Sequence, residues 1–343
     1  MQFWKNTGAA LGLAFGAFAA GGLATTAVGD EISDFYGGNE VDVLIGYGPG
    51  GGYDAYARLL ARHMGKHLAG APTFVPENMP GGGSQMAASF VHSAAPKDGT
   101  VMVTFAPTVA IGYMTGTAQF DGRELVWIGS VTNRVNVCVF STESGIESWE
   151  DMLEKDHILG GEGHGADVDA VSNMLINLFG TRSKLVTGYP GTAEMFLAIE
   201  RGEIDGICGM SWGSTLSRFG DQIDSGKARI VLQAAPRSAP GLDAPNVLEF
   251  IEGEEDRQVA NFILAGSTIG RPFATAPGTP PERVEALRRA FDATMEDAEF
   301  LAEAEKMQLE INASTGEYLE ETINEIYETP TAVIDRAAAI VNQ

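Results

Sequence analysis

Two short stretches hold most of the chemistry available to this sequence: GYGPGGGYD at 46–54 and PGGGSQ at 80–85. Neither carries a cation. Glycine leaves the backbone bare, so amide N–H groups can converge on a ligand that side chains would otherwise hold off. The apolar run Val41–Ile45 precedes the first stretch and a helical pattern follows it. Its amides therefore stand at a helix N-terminus, whose partial positive charge favours an anion. A carboxylate needs only two or three such donors. Asp54 would repel an anion, so it is expected to cap the loop or the first helical turn. A tight turn explains one glycine loop without any ligand; a second, after the adjacent strand, is harder to explain that way.

Rival chemistries can be weighed on the same residues. Gly46, Gly48 and Gly51 satisfy the dinucleotide fingerprint G-x-G-x-x-G, and Glu77 stands where a ribose-binding carboxylate belongs. A run this rich in glycine satisfies many patterns, however, and a second glycine loop follows Glu77 almost at once. A phosphate loop of the Walker type lacks its lysine. Gly209–Gly213, GMSWG, matches the nucleophile elbow G-x-S-x-G and makes Ser211 the one enzyme lead, a secreted serine hydrolase. All five histidines precede Ser211, whereas that fold needs one downstream. The milder reading puts Ser211 and Trp212 on the lining of a cleft at a strand end, with core packing a near rival for Trp212. His63 and His67 have a metal-ligand spacing, but Arg62 and Lys66 flank them and a solvated helix end accounts for both. His164 lies in a glycine-rich loop, either donating to an anion or simply exposed. Tyr189 and Thr192, in a similar loop, are hydroxyl donors or turn residues. No metal and no cofactor is expected.

The elements that must position these loops alternate. Strands are expected over 41–45, 73–76 and 101–105, with helices over 55–68 and 85–93 between them. The middle of the chain repeats the pattern, with strands over 135–140, 158–160, 184–187, 204–208 and 228–234 and helices over 146–154, 169–179 and 193–201. Residues 262–276 read as extended, and helical periodicity runs on from Pro281. The fold class is α/β, in two units whose glycine-rich loops lie at the same ends of their strands. Open α/β sheets bind ligands there, and two such units face to face make a hinged cleft.

The 343 residues suffice for two domains, and a net charge of −24 argues against nucleic acid and anionic membrane surfaces as partners. Lys5, the apolar stretch Gly8–Ala24 and Ala27-Val28-Gly29 form an expected signal peptide over 1–29, cleaved on export. The two cysteines, Cys138 and Cys208, are either a disulfide or two buried thiols.

The order of motifs carries a resemblance. Pro49-Gly50-Gly51-Gly52-Tyr53-Asp54, then Ala57-Arg58-Leu59, then Asn78 to Gly83, then Ala95 to Thr100 resemble the N-terminal signature of the Bug-type, TctC-like extracytoplasmic receptors of tripartite tricarboxylate transporters. The stretches at 188–206 and 273–291 are similar to that family's second-domain segment and C-terminal return. The resemblance implies a periplasmic solute-binding protein of the type II-like two-domain fold, with the ligand cleft between domain 1 (35–136 plus 265–343) and domain 2 (137–264). It implies a monomer that captures a small mono-, di- or tricarboxylate and delivers it to membrane permease subunits. It places a carboxylate cradle on Tyr47, Gly48, Pro49, Gly50, Gly51, Gly52 and Tyr53, on Gly81, Gly82, Gly83, Ser84 and Gln85, and beside them Pro107 and Thr108. Gly46-Tyr47-Gly48 departs from the family's usual apolar-Pro-Phe approach, and GEGHGADVDA at 161–170 replaces its serine- and histidine-bearing segment. A ligand sensor for a signalling partner is the remaining alternative.

Overall fold

The computed structural model describes residues 31–239 and 241–342, so the expected signal segment lies outside the described residues. Two sheets divide the chain. The first has the order β11-β4-β10-β3-β1-β2. β1 (Glu40–Ile45) pairs in parallel with β2 (Thr73–Asn78) and β3 (Val101–Thr104). Parallel pairing requires crossovers, and α1 (Gly52–Met64) and α2 (Gln85–Ser93) supply them. α3 (Thr108–Thr115) leads from β3 towards β4 (Val126–Ser130). All four residues of β3 are buried, as expected of a strand covered on both faces.

The second sheet has the order β7-β6-β8-β5-β9. It runs from β5 (Asn136–Ser141) through α4 (Trp149–Glu154), β6 (His157–Gly160), α5 (Asp167–Phe179) and β7 (Ser183–Val186). It continues through α6 (Thr192–Glu200), β8 (Gly206–Ser211), α7 (Trp212–Asp224) and β9 (Ala228–Ala234). β6 is parallel to β7 and β8, while β5 is antiparallel to β8 and β9. In the first sheet β10 (Pro272–Thr275) is likewise antiparallel to its neighbours. These two antiparallel strands, β5 and β10, receive the chain as it crosses between lobes.

Residues 262–276 are not extended throughout. α8 (Glu254–Leu264) and the short α9 (Gly266–Ile269) occupy about half of the stretch, and within it only β10 is a strand. The apolar run there serves a buried helix face, with Val259, Ala260, Phe262 and Ile263 all inside. After β10 come α10 (Pro281–Met295), α11 (Ala298–Lys306), the short β11 (Ser314–Thr315), α12 (Gly316–Tyr327) and α13 (Thr331–Val341). α13 packs Val333, Ala337 and Ile340 into the second lobe's core. Asn173 and Asn177 of α5 donate to the carbonyls of Val341 and Ile340, so the last helix ties itself to the second lobe.

Cys138 and Cys208 are joined by a disulfide across β5 and β8. Both cysteines are fully buried. No helix among the described residues is long and apolar enough to cross a membrane.

Candidate functional site between the lobes

The glycine loops of the two lobes abut. Gly48 donates its amide to the carbonyl of Pro190 at 3.0 Å, and Thr108 Oγ1 donates to the carbonyl of Gly165. A Cβ on Gly83 would run into the backbone of Ala166. Bare backbone on both sides is what lets the lobes come this close. One cradle amide is already occupied within its own loop: Gly50 N donates to Asp54 Oδ2 at 2.9 Å, and Asp54 is held in turn by Arg58 and Asn78.

Behind the loops lie two buried arginines that the motif reading passed over. Both sit where the chain crosses between lobes. Arg134 precedes β5, and its amide donates to the carbonyl of Ser267. Its guanidinium forms an ion pair with Asp167 and donates to Tyr53 Oη at 2.8 Å and to Asn136 Oδ1 at 3.0 Å. Arg271 opens into β10 directly after Gly270, whose φ of +72° and contact with the Thr132 carbonyl exclude a side chain. Arg271 is 3% exposed. Its Nη2 donates to Ser211 Oγ at 2.8 Å and to Ser214 Oγ, and its guanidinium carbon lies 4.5 Å from the Tyr53 ring centre and 4.9 Å from that of Tyr56. Its Nε and Nη1 have no hydrogen-bond partner among the described residues. Burial and then the nearby Arg134 lower the Arg271 pKa, yet a guanidinium keeps its proton in proteins. A charged group with unmet donors is therefore enclosed between the lobes.

Two cavities flank the Tyr47 and Glu162 side chains, which line both. The outer, of about 340 Å³, is walled by Gly81–Ser84 of the first lobe and by Gly163 and Gly188–Pro190 of the second. The inner, of about 20 Å³, is bounded by Gly51, Gly52, Tyr53, Thr192, Ser211 and the two arginines, among others. Tyr47 and Tyr53 stack with ring centres 4.5 Å apart. Glu162 is pushed up to about 8, first by burial and then by Asp167 and Asp169. Burial likewise raises Asp169, although Thr187 and the amides of Gly163 and Glu162 hold its charged form.

The structure thus brings Tyr47, Gly51, Gly52, Tyr53, Gly81, Gly82, Gly83, Ser84, Tyr189, Thr192 and Ser211 to these two cavities. Other expected residues stand elsewhere. Pro49 is exposed, and the amides of Gly48 and Gly50 are already bonded. Gln85 reaches across towards Gly165 instead. Thr108 bonds Gly165 and Asp167, and Pro107 is buried behind it against Gly266. His164 is exposed. Trp212 lines another cavity, of about 530 Å³, beside the lobe crossovers, which shares Arg134 and Ser211 with the inner one. The hydroxyl of Ser211 is bonded to Ser214 and Arg271, neither of which is a general base. His63 and His67 are bonded to Glu303 and Asp297 on the first lobe's outer face.

Arg271, Arg134, Glu162, Asp167 and Ser214 were missed. The arginines had a readable signal. Only 22 lysines and arginines serve a chain with 46 acidic residues, and an arginine inside an apolar run, as in TIGRPFAT, must be buried with purpose.

No family model matches the chain, and no curated protein matches it. Solved structures do. The periplasmic binding protein BugD superposes with a TM-score of 0.71 at 21% identity, over 89% of this chain and 99% of that one. The chain has the fold of the Bug and TctC-type periplasmic binding proteins. MatC from Rhodopseudomonas palustris, solved with malate, gives 0.68 at 19% identity over 88% of this chain and 99% of its own. A second R. palustris protein, solved with adipate, gives 0.65 at 18% over 88% and 98%. In a fold of this kind the seam described above is the space between the two lobes.

Proposed function

We propose that the protein is an exported solute receptor that closes its lobes over a small carboxylate and delivers it to membrane permease subunits. One observation carries this reading: the buried Arg271 guanidinium, with Nε and Nη1 unpartnered, in a seam built from facing glycine loops. Unmet charged donors are costly to enclose, at roughly 1–3 kcal/mol or more each, and a carboxylate that meets two of them recovers that cost. The ligands named with two of the similar structures, malate and adipate, are carboxylates and support the same class. No covalent step is required. Closure is a population shift driven by contacts that exist only in the closed form.

The test is a thermal-shift and calorimetric screen of mono-, di- and tricarboxylates on the mature protein. A ligand at about 100 times its Kd adds ~2.7 kcal/mol of stability, which raises the melting midpoint by several degrees. Arg271→Met is expected to remove that rise. A screen in which no carboxylate binds refutes the reading.

A further inference from the structure

Far from the seam, at the other end of α1, His63 and His67 keep their metal-ligand spacing, and the sequence places no third ligand beside them. The fold does. α11 and its cap lie against this end of α1 and bring Asp297, Glu299 and Glu303 from 230 to 240 residues away. Ligand atoms of His63, Asp297 and Glu299 all lie within 4.8 Å of one another, and His67 Nε2 stands 2.8 Å from Asp297 Oδ2. We propose that this cluster on the first lobe's outer face is a zinc site, with His63, His67, Asp297 and Glu299 as its ligands.

Two imidazoles with two carboxylates suit zinc, whereas magnesium and calcium take oxygen ligands. Ligand atoms around a tetrahedral zinc stand about 3.3 Å apart, so the trio draws in by at most about 1.5 Å. Glu299 is exposed and free to make that move. The other groups are held in place. Asp297 Oδ1 accepts the amides of Glu299 and Phe300 at 2.8 and 3.1 Å, which leaves Oδ2 turned to His67. The His63 ring packs edge-on against Phe300, with centres 5.8 Å apart. Partners of this kind orient a ligand before the metal arrives. Lys66 shows that the position attracts positive charge: its ammonium bridges Asp297 Oδ2 at 2.8 Å and Glu299 Oε2 at 2.6 Å. It is the metal's competitor, and its side chain is exposed enough to swing out to water. Glu303 completes the cluster, 2.6 Å from Arg62 and 2.7 Å from His63. These three carboxylates face two permanent cations, so exchanging the ammonium for a divalent ion neutralises the cluster. The ion ties the end of α1, whose first turn lines the inner cavity, to the C-terminal return of the chain.

The experiment is calorimetric titration of the full mature protein, free of any histidine tag, with zinc chloride, and with magnesium and calcium chloride in parallel. A single zinc should bind per chain and raise the melting midpoint, and neither of the other ions should bind. His63→Gln and His67→Gln should each weaken zinc binding at least about tenfold, with the metal-free melting midpoint read alongside. Lys66→Gln should tighten it, because the competing ammonium is gone; ion pairs that only join two helices would lose stability there without any gain in zinc affinity. Should a histidine variant fail to fold, Glu299→Gln, on an exposed side chain, carries the same expectation of weaker binding. The proposal is overturned if no zinc binds, if several zinc ions bind with an affinity that His63→Gln and His67→Gln leave unchanged, or if Lys66→Gln weakens binding. None of these results bears on the receptor reading.

Discussion

Gly52→Ala separates the binding function from the fold. Gly52 is the first residue of α1 and its φ lies outside the left-handed region, so an alanine there meets no backbone strain. Within a helix, alanine is favoured over glycine by roughly 0.5–1 kcal/mol. Its new Cβ, however, would lie 2.7 Å from Arg271 Nη2, 3.1 Å from Arg271 Cζ and closer still to Ser214 Oγ. Neither neighbour can withdraw freely. Arg271 is stacked on Tyr53 and Tyr56, and Ser214 is buried between Ser211 and Arg271. Overpacking of this kind costs about 1–3 kcal/mol, and its tightest contact, against Ser214 of the second lobe, falls on the closed arrangement because an opened seam relieves it. The expected result is a Kd weakened by roughly 5- to 150-fold, with the melting midpoint of the ligand-free protein unchanged or raised. Gly48→Ala is the control. Its Cβ would meet Pro190 and Glu194 at 3.4–3.6 Å, ordinary contact distances, so its affinity should stay within about twofold of wild type. Calorimetric titration paired with differential scanning calorimetry reads both quantities. Wild-type affinity in Gly52→Ala, or a parallel loss of stability and binding, would refute the idea that these glycines exist for lobe closure.

Glu162 binds its proton more tightly in the closed seam than at its ordinary value of 4.5, holding it up to about 8. The closed form therefore carries the extra proton between those values, and its stability falls as pH rises through that window. Melting midpoints taken from pH 5 to 8.5 should decline more steeply in wild type than in Glu162→Gln. The Cys138–Cys208 disulfide closes a 70-residue separation, so Cys208→Ser should cost about 2–5 kcal/mol, read as a lower denaturant midpoint for the second lobe. Ester hydrolysis should be undetectable with wild type; turnover that disappears in Ser211→Ala would restore the enzyme reading.

Much of the architecture was legible because periodicity reports local burial. The helix expected over 85–93 is Gln85–Ser93, and the strand expected over 228–234 is Ala228–Ala234. The glycine loops were legible as bare backbone, but what approaches that backbone was not. In the closed form the nearest groups to Gly52 and Gly83 are Arg271, Ser214 and Ala166, each far away in sequence. The charged interior escaped for the same reason: Arg134 and Arg271 meet only because two lobe crossovers lie side by side. The 262–276 stretch was misread because an apolar run of that length serves a buried helix as well as a strand. The disulfide needed the antiparallel register of β5 and β8, which no local signal specifies.

The most direct test is a crystal structure of the protein loaded with the tightest ligand from the titrations. The account predicts the ligand's carboxylate between the lobes, within hydrogen-bonding distance of Arg271 Nε or Nη1, with the glycine loops closed over it. A ligand seated instead in the cavity beside Trp212, or held without any contact to Arg271, would contradict it.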